Sequence, residues 1–140
     1  MIALAGCRKV PKGFDKVKDA SEVNLSVICM RYDNMDNTYI INEDSTYQKL
    51  LVHKNDFTSC STYVLPEIDF DNYTLIAKKT TVEGCNVTID KNVYINTERK
   101  EYLYIIEVNE TGDCTDIIIN MNWMTISKMK DDYELTIEVK

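Results

Sequence analysis

The chain has no apolar run that approaches the roughly 20 residues needed to span a bilayer, so any membrane attachment must come from an anchor. Its four glycines form no phosphate-cradling loop. With one histidine and no two cysteines close together, it lacks the ligand spacing of a zinc finger or ribbon. Basic residues are too few and too scattered for a phosphate-binding face: 16 Lys and Arg stand against 23 Asp and Glu, giving a formal charge of −7 and a pI near 4.7. Nucleic acid is not an expected partner, and no cofactor or metal site is read. What remains is 140 residues with 44% hydrophobic content, enough for one domain with a proper core.

The most ordered pattern lies between Cys85 and Cys114. Val87, Ile89, Val93 and Ile95 share one parity, with Thr88, Asp90, Asn92 and Asn96 between them, the period of a strand with one buried face. Tyr102, Tyr104, Ile106 and Val108 repeat it, and the polar stretch 96–101 between the arms reads as their turn. If Thr97 faces Lys100, the opposed pairs are Ile95 with Tyr102, Val93 with Tyr104 and Ile89 with Val108. A slip of one residue would set buried residues against exposed ones, so this register is favoured. Extended outward, it sets Cys85 opposite Gly112, close to Cys114 and on its face. This predicts a Cys85–Cys114 disulfide at the open end of the hairpin.

At the other end of the chain, Leu4-Ala5-Gly6-Cys7 matches the lipobox of bacterial lipoproteins, which makes Cys7 the expected lipidation site. Only six residues precede Cys7, shorter than a basic region plus an apolar stretch of roughly 7–15 residues, so a misassigned start or a trimmed chain is expected. Setting Cys7 aside leaves an even number of cysteines, and with Cys85–Cys114 fixed by register, Cys29–Cys60 follows by elimination. In an oxidising periplasm each bridge would add about 2–4 kcal/mol. Residues 8–20 are rich in Lys and Arg and read as a tether beside anionic headgroups, so the expected division is a signal remnant and tether over 1–20 and a single β-rich domain over 21–140. No aspartate follows the lipid cysteine, which favours the outer membrane, with the domain lipid-anchored and facing the periplasm or the cell surface.

Residues 24–32 (NLSVICMRY) carry apolar side chains on both parities and read as a covered strand, followed by a short extended segment at 39–41. Between them the acidic stretch 33–37 lacks the glycine and the distal glutamate of a calcium loop and reads as a polar turn. Residues 42–53 (NEDSTYQKLLVH) predict a helix with Asn42 or Asp44 as N-cap and Tyr47, Leu50 and Leu51 on one face. A strand at 74–78, another at 115–123 and a closing alternation of Tyr133, Leu135, Ile137 and Val139 complete the pattern. The expected fold is α+β, mostly β: an antiparallel meander forming a partial barrel or sandwich with one helix.

No constellation rises to a named chemistry. His53 ends the helix, and Asp69 with Asp71 could suggest a glycosidase pair, but a surface histidine and turn-forming carboxylates are the simpler readings. The helix at 42–51, the stretch Ile68-Asp69-Phe70-Asp71-Asn72-Tyr73-Thr74-Leu75, the Gly84-Cys85 strand start and Gly112-Asp113-Cys114 resemble small uncharacterised lipoproteins of Gram-negative bacteria. More distantly they are similar to the C-terminal domain of a protease-complex subunit (PrcB-like). The resemblance covers about 100 of 140 residues, is structural in its motifs, and implies a domain that binds or stabilises a protein partner rather than an enzyme. The alternative expectation is an envelope inhibitor of a lysozyme or protease, acting through an exposed loop at 33–37 or 55–60.

Overall fold

The computed structural model describes residues 10–140. The lipobox with Cys7 and the first residues of the tether lie outside the described residues. Elements follow in the order β1 (Asp15–Lys16), β2 (Ser21–Glu22), β3 (Thr38–Ile41), α1 (Asp44–Gln48), β4 (Tyr73–Glu83), β5 (Asn86–Asn96), β6 (Glu101–Thr111), β7 (Ile117–Ser127) and β8 (Glu134–Val139). Short 3-10 turns cover Tyr32–Asn34, Lys49–His53 and Thr58–Cys60.

The central element is one long two-armed ribbon folded in half. In its first half β5 pairs antiparallel with β6, setting Ile95 against Tyr102, Val93 against Tyr104 and Ile89 against Val108, the register that the alternation requires. In its second half the same two arms continue as β4 and β7, paired antiparallel from Tyr73 with Ser127 to Glu83 with Ile117. Where the ribbon folds, the first arm is joined by Gly84 and Cys85 alone and the second by residues 112–116. The Cys85–Cys114 disulfide ties these two connections together. Gly112 sits against it with φ +91°, and a Cβ there would lie 2.5 Å from Cys85 Sγ, so both backbone and space require glycine.

Folding the ribbon puts its halves in different sheets, ordered β1-β5-β6-β8 and β2-β7-β4-β3. The two sheets face each other across a core built from Ile76, Met124 and Ile126 on one side and Val93, Tyr104 and Ile106 on the other. The molecule is thus a mostly β sandwich and not a barrel. The expected mostly β sandwich with one helix is what the chain forms, although within it β4 does not pair with its chain neighbour β5 but with β7. Nor is every pairing antiparallel. β8 runs parallel to β6, since the chain leaves the second sheet after β7 and re-enters the first at the start of β6, where Glu134 N–H donates to Lys100 O (3.0 Å) and Lys100 Nζ to Asp132 (2.7 Å).

A second core lies on the other face of β4 and β7, where Leu75, Ala77, Met121 and Trp123 are covered by Leu25, Met30, Tyr32, Tyr47, Leu50 and Phe70. The covering layer departs from the sequence reading in two places. Residues 24–32 form turns rather than a strand, because Ser26 accepts the Cys29 N–H through Oγ and the Met30 N–H through its carbonyl, both at 3.0 Å. The expected 42–53 helix is α-helical only over α1 and tightens to a 3-10 turn over Lys49–His53; of the two proposed caps, Asn42 instead accepts Thr74 Oγ1 at 2.6 Å and Asp44 is the first helical residue, with Glu43 in the cap position. Tyr47 and Leu50 are buried as the periodicity requires. The Cys29–Cys60 disulfide, reached by elimination in the sequence, staples this layer.

The boundary at residue 20 also falls inside the fold. Asp15 and Lys16 of the expected tether pair with Ile95 and Tyr94, and Phe14 packs beside Tyr94, Leu103 and Ile105 on the outer face of the first sheet. Phe14, Val17 and Ala20, apolar side chains in a stretch rich in lysine, face the domain and account for its docking.

Candidate functional site

The residues nearest to a catalytic reading hold structural positions. Asp69 accepts hydrogen bonds from Asn72 Nδ2 (2.6 Å) and the Asp71 N–H (3.0 Å), and these bonds, the Asn72 amide foremost, hold its carboxyl below the usual range. His53 ends the 3-10 turn, where its carbonyl accepts the Arg31 N–H at 2.9 Å. The four cysteines that could have competed for a metal are paired as Cys29–Cys60 and Cys85–Cys114. Both candidate inhibitory loops are tied down. In the 33–37 loop, Lys79 Nζ donates to Met35 O (2.5 Å) and Tyr39 Oη accepts the Asp36 N–H (2.9 Å). In the 55–60 loop, the Asn55 N–H donates to Cys29 O at 2.8 Å.

What the fold leaves unfinished is an edge. β1 covers β5 only at Tyr94 and Ile95, with one further bond from the Val17 N–H to Val93 O (2.8 Å). The chain then crosses to the other sheet, where Ser21 and Glu22 pair with Thr125 and Met124. Along β5 the residues that share the parity of Val93 and Ile95 point their backbone groups outward, away from β6. Val87, Ile89 and Lys91 therefore present N–H and C=O groups at an edge that no strand pairs with among the described residues.

Beneath this edge the sandwich opens into a groove of about 560 Å³, lined by Lys16, Val17, Lys18, Glu22, Lys91 and Met124, among others. Lys91 is its distinctive residue. It occupies a core-facing position of β5, opposite Ile106, and its side chain is only 11% exposed. Its stem lies along apolar surface while Nζ reaches Glu22 Oε1 at 3.0 Å, and Glu22 is itself 57% exposed at the groove mouth. An inward-pointing charge on a sheet edge discourages indiscriminate pairing and leaves the edge open to a partner that satisfies it. Lys16 and Lys18 are exposed at the rim, and Glu22 and Asp90 line the groove as well, so its three lysines stand against two carboxylates and Lys91 is the one largely buried charge beneath the edge.

Deeper in, Tyr104 Oη donates to Asn122 O (3.0 Å), and Asn122 Nδ2 donates to Lys78 O (2.8 Å) and Thr80 Oγ1 (3.1 Å), so a satisfied polar network crosses the sandwich interior. Burial pushes the Tyr104 hydroxyl well up, and the Glu22 charge adds to it.

The sequence does mark this site. Lys91 stands at the one odd position between Val87 and Ile95 that breaks the apolar alternation. The open backbone edge has no such signal, because side-chain pattern shows which face is buried and not which edge is covered. Comparison of the chain with family models, with curated proteins and with solved structures finds no match in any of the three.

Proposed function

We propose that this domain is a non-catalytic binding module that takes an extended segment of an envelope protein along the open edge of β5, so that the guest completes the first sheet. The observation that carries the reading is the row of outward backbone groups at Val87, Ile89 and Lys91 above a groove lined by Lys16, Lys18 and Lys91. Backbone pairing supplies affinity, and a guest side chain that answers the Lys91–Glu22 pair beneath the edge supplies selectivity. Two disulfides fit an oxidising compartment. Together with the lipobox at Cys7 they support a lipid-anchored protein of the outer membrane, and the resemblance to small lipoproteins and to the PrcB-like domain supports a protein as partner.

Proline decides whether binding uses this edge. Val87→Pro removes an outward N–H and leaves the β5–β6 ladder intact, so its melting temperature should stay close to the parent's. Affinity capture from the native envelope should recover a partner with the parent domain and lose it with Val87→Pro. A partner held equally by both would overturn the edge reading, and no partner with either would overturn the binding reading.

One observation favours an envelope inhibitor of a lysozyme or protease as a second reading. Phe57 is 58% exposed on a loop whose ends are fixed by the Cys29–Cys60 disulfide and the Asn55 hydrogen bond. If that loop enters an enzyme's cleft, Phe57→Ala should abolish inhibition in muramidase and protease assays and leave edge-dependent capture unchanged.

A further inference from the structure

The geometry points to a second interface at the opposite edge of the same sheet, where β8 pairs with β8 of a second copy across a two-fold axis. In β8 the residues 134 and 140 face inward: Glu134 N–H donates to Lys100 O, Lys140 N–H donates to Ile106 O, and Lys140 O accepts the Val108 N–H. The alternate residues Leu135, Ile137 and Val139 therefore turn their N–H and C=O groups outward, and β8 is the last strand of its sheet.

An antiparallel pairing centred on Ile137 matches every outward residue with another. Ile137 meets Ile137 of the second copy, and Leu135 meets its Val139 in both directions. On the solvent face this register sets Glu134 opposite Lys140 and Thr136 opposite Glu138, so two opposite-charge pairs form across the dyad. The neighbouring registers that also align outward groups fail on charge. Moved one way, they set Glu134 against Glu138; moved the other way, Glu138 faces its own copy. Charge thus selects one register of a self-complementary strand.

The face turned toward the core agrees. Val139 is 46% exposed and lines an apolar groove of about 450 Å³ with Val82 and Val108 at this edge. Leu135 of the second copy stands beside Val139 on the face where that groove lies. The two first sheets become one continuous sheet of eight strands, each copy contributing four.

This interface is independent of the β5 edge and is tested on the full chain without any partner. Sedimentation across a wide range of concentration should show a reversible monomer–dimer equilibrium. Glu134→Lys and Lys140→Glu should each weaken dimerisation about tenfold by turning both attractive pairs repulsive, and the double variant should restore it. The substituted side chains are exposed, so loss of fold does not confuse the result; Lys140→Glu displaces the 3.8 Å pair of Lys140 with Glu138. Hydrogen exchange supplies a second readout. The amides of Leu135, Ile137 and Val139 should slow as concentration rises, while those of Glu134 and Lys140 stay slow throughout. A monomer at every concentration, or a dimer indifferent to both charge changes, overturns the proposal.

Discussion

The two edges of the first sheet are built on opposite plans. β5 is broken by charge and polarity at Asp90, Lys91 and Asn92, is covered for two residues by β1, and overhangs a groove beneath which Lys91 faces inward. β8 alternates without a break and carries its charges only on the solvent face. An edge with an inward lysine resists any partner that cannot answer that charge, whereas a regular strand of alternating Glu and aliphatic residues resists most registers and accepts one. The difference teaches that an exposed edge can be made selective in two ways, by what lies beneath it or by what lies along it.

The largest expected effect tests whether the alternation of β5 fixes which groups face the core at all. Val93 is buried between the sheets, so Val93→Asp places a charge where it has neither water nor partner and should cost about 4 kcal/mol or more, enough to unfold the domain. Asn92→Asp, one residue along and on the other face, should stay within about 0.5 kcal/mol by chemical denaturation. Equal losses would break the assignment of inner and outer faces and with it the description of both edges.

Next comes the fold of the ribbon, which sets its two halves in facing sheets. Cys85→Ser and Cys114→Ser should each cost about 2–4 kcal/mol, and the double variant little more, because all three remove one shared bridge. Additive losses would mean that the two sulfurs stabilise separate contacts.

These expectations could be framed from sequence in one half of the ribbon and not in the other. β5 keeps polar residues between its apolar ones over most of its length, so period two fixed its pairing to the residue, although Leu103 and Ile105 interrupt the alternation of β6. In β4, Leu75 and Ala77 face one core while Ile76 faces the other; in β7, Met121 and Trp123 face one and Met124 and Ile126 the other. A strand covered on both sides loses its alternation, and its partner cannot be read from pattern. Residues 24–32 carry the same unbroken apolar signal, yet Ser26 captures the local backbone and the segment turns. The parallel entry of β8 depends on where the chain re-enters a sheet, which is a property of the whole topology. Both disulfides were legible, one from register and the other from what the first left unpaired.

A smaller pair of changes sharpens the contrast between the bonded and unbonded sides of β5. Thr88 has the parity that bonds β6, so Thr88→Pro deletes a ladder bond and should cost about 2–3 kcal/mol. Val87→Pro deletes an outward donor and should cost less than about 1 kcal/mol. Thermal melts of the two proteins, side by side, check which side of β5 is open. If Val87→Pro proves the more damaging, the outward groups are already paired.

The smallest effect on stability carries the most about design. Lys91→Met fills a core-facing position with an apolar side chain of similar reach and leaves Glu22, more than half exposed, to water. The lost ion pair and the gained apolar burial nearly cancel, so folding stability should change by no more than about 1 kcal/mol in either direction. What should change is behaviour in concentrated solution. Without the inward charge the β5 edge becomes an apolar strand end above an open groove, and light scattering should rise with concentration beyond the level of the parent's dimer. Adding Glu134→Lys to the same chain weakens the β8 pairing, so association beyond that of Glu134→Lys by itself comes from the β5 edge. If that double variant scatters no more than Glu134→Lys by itself, Lys91 does not guard the edge and its burial serves only to hold Glu22 and the crossing of residues 17–20 in place.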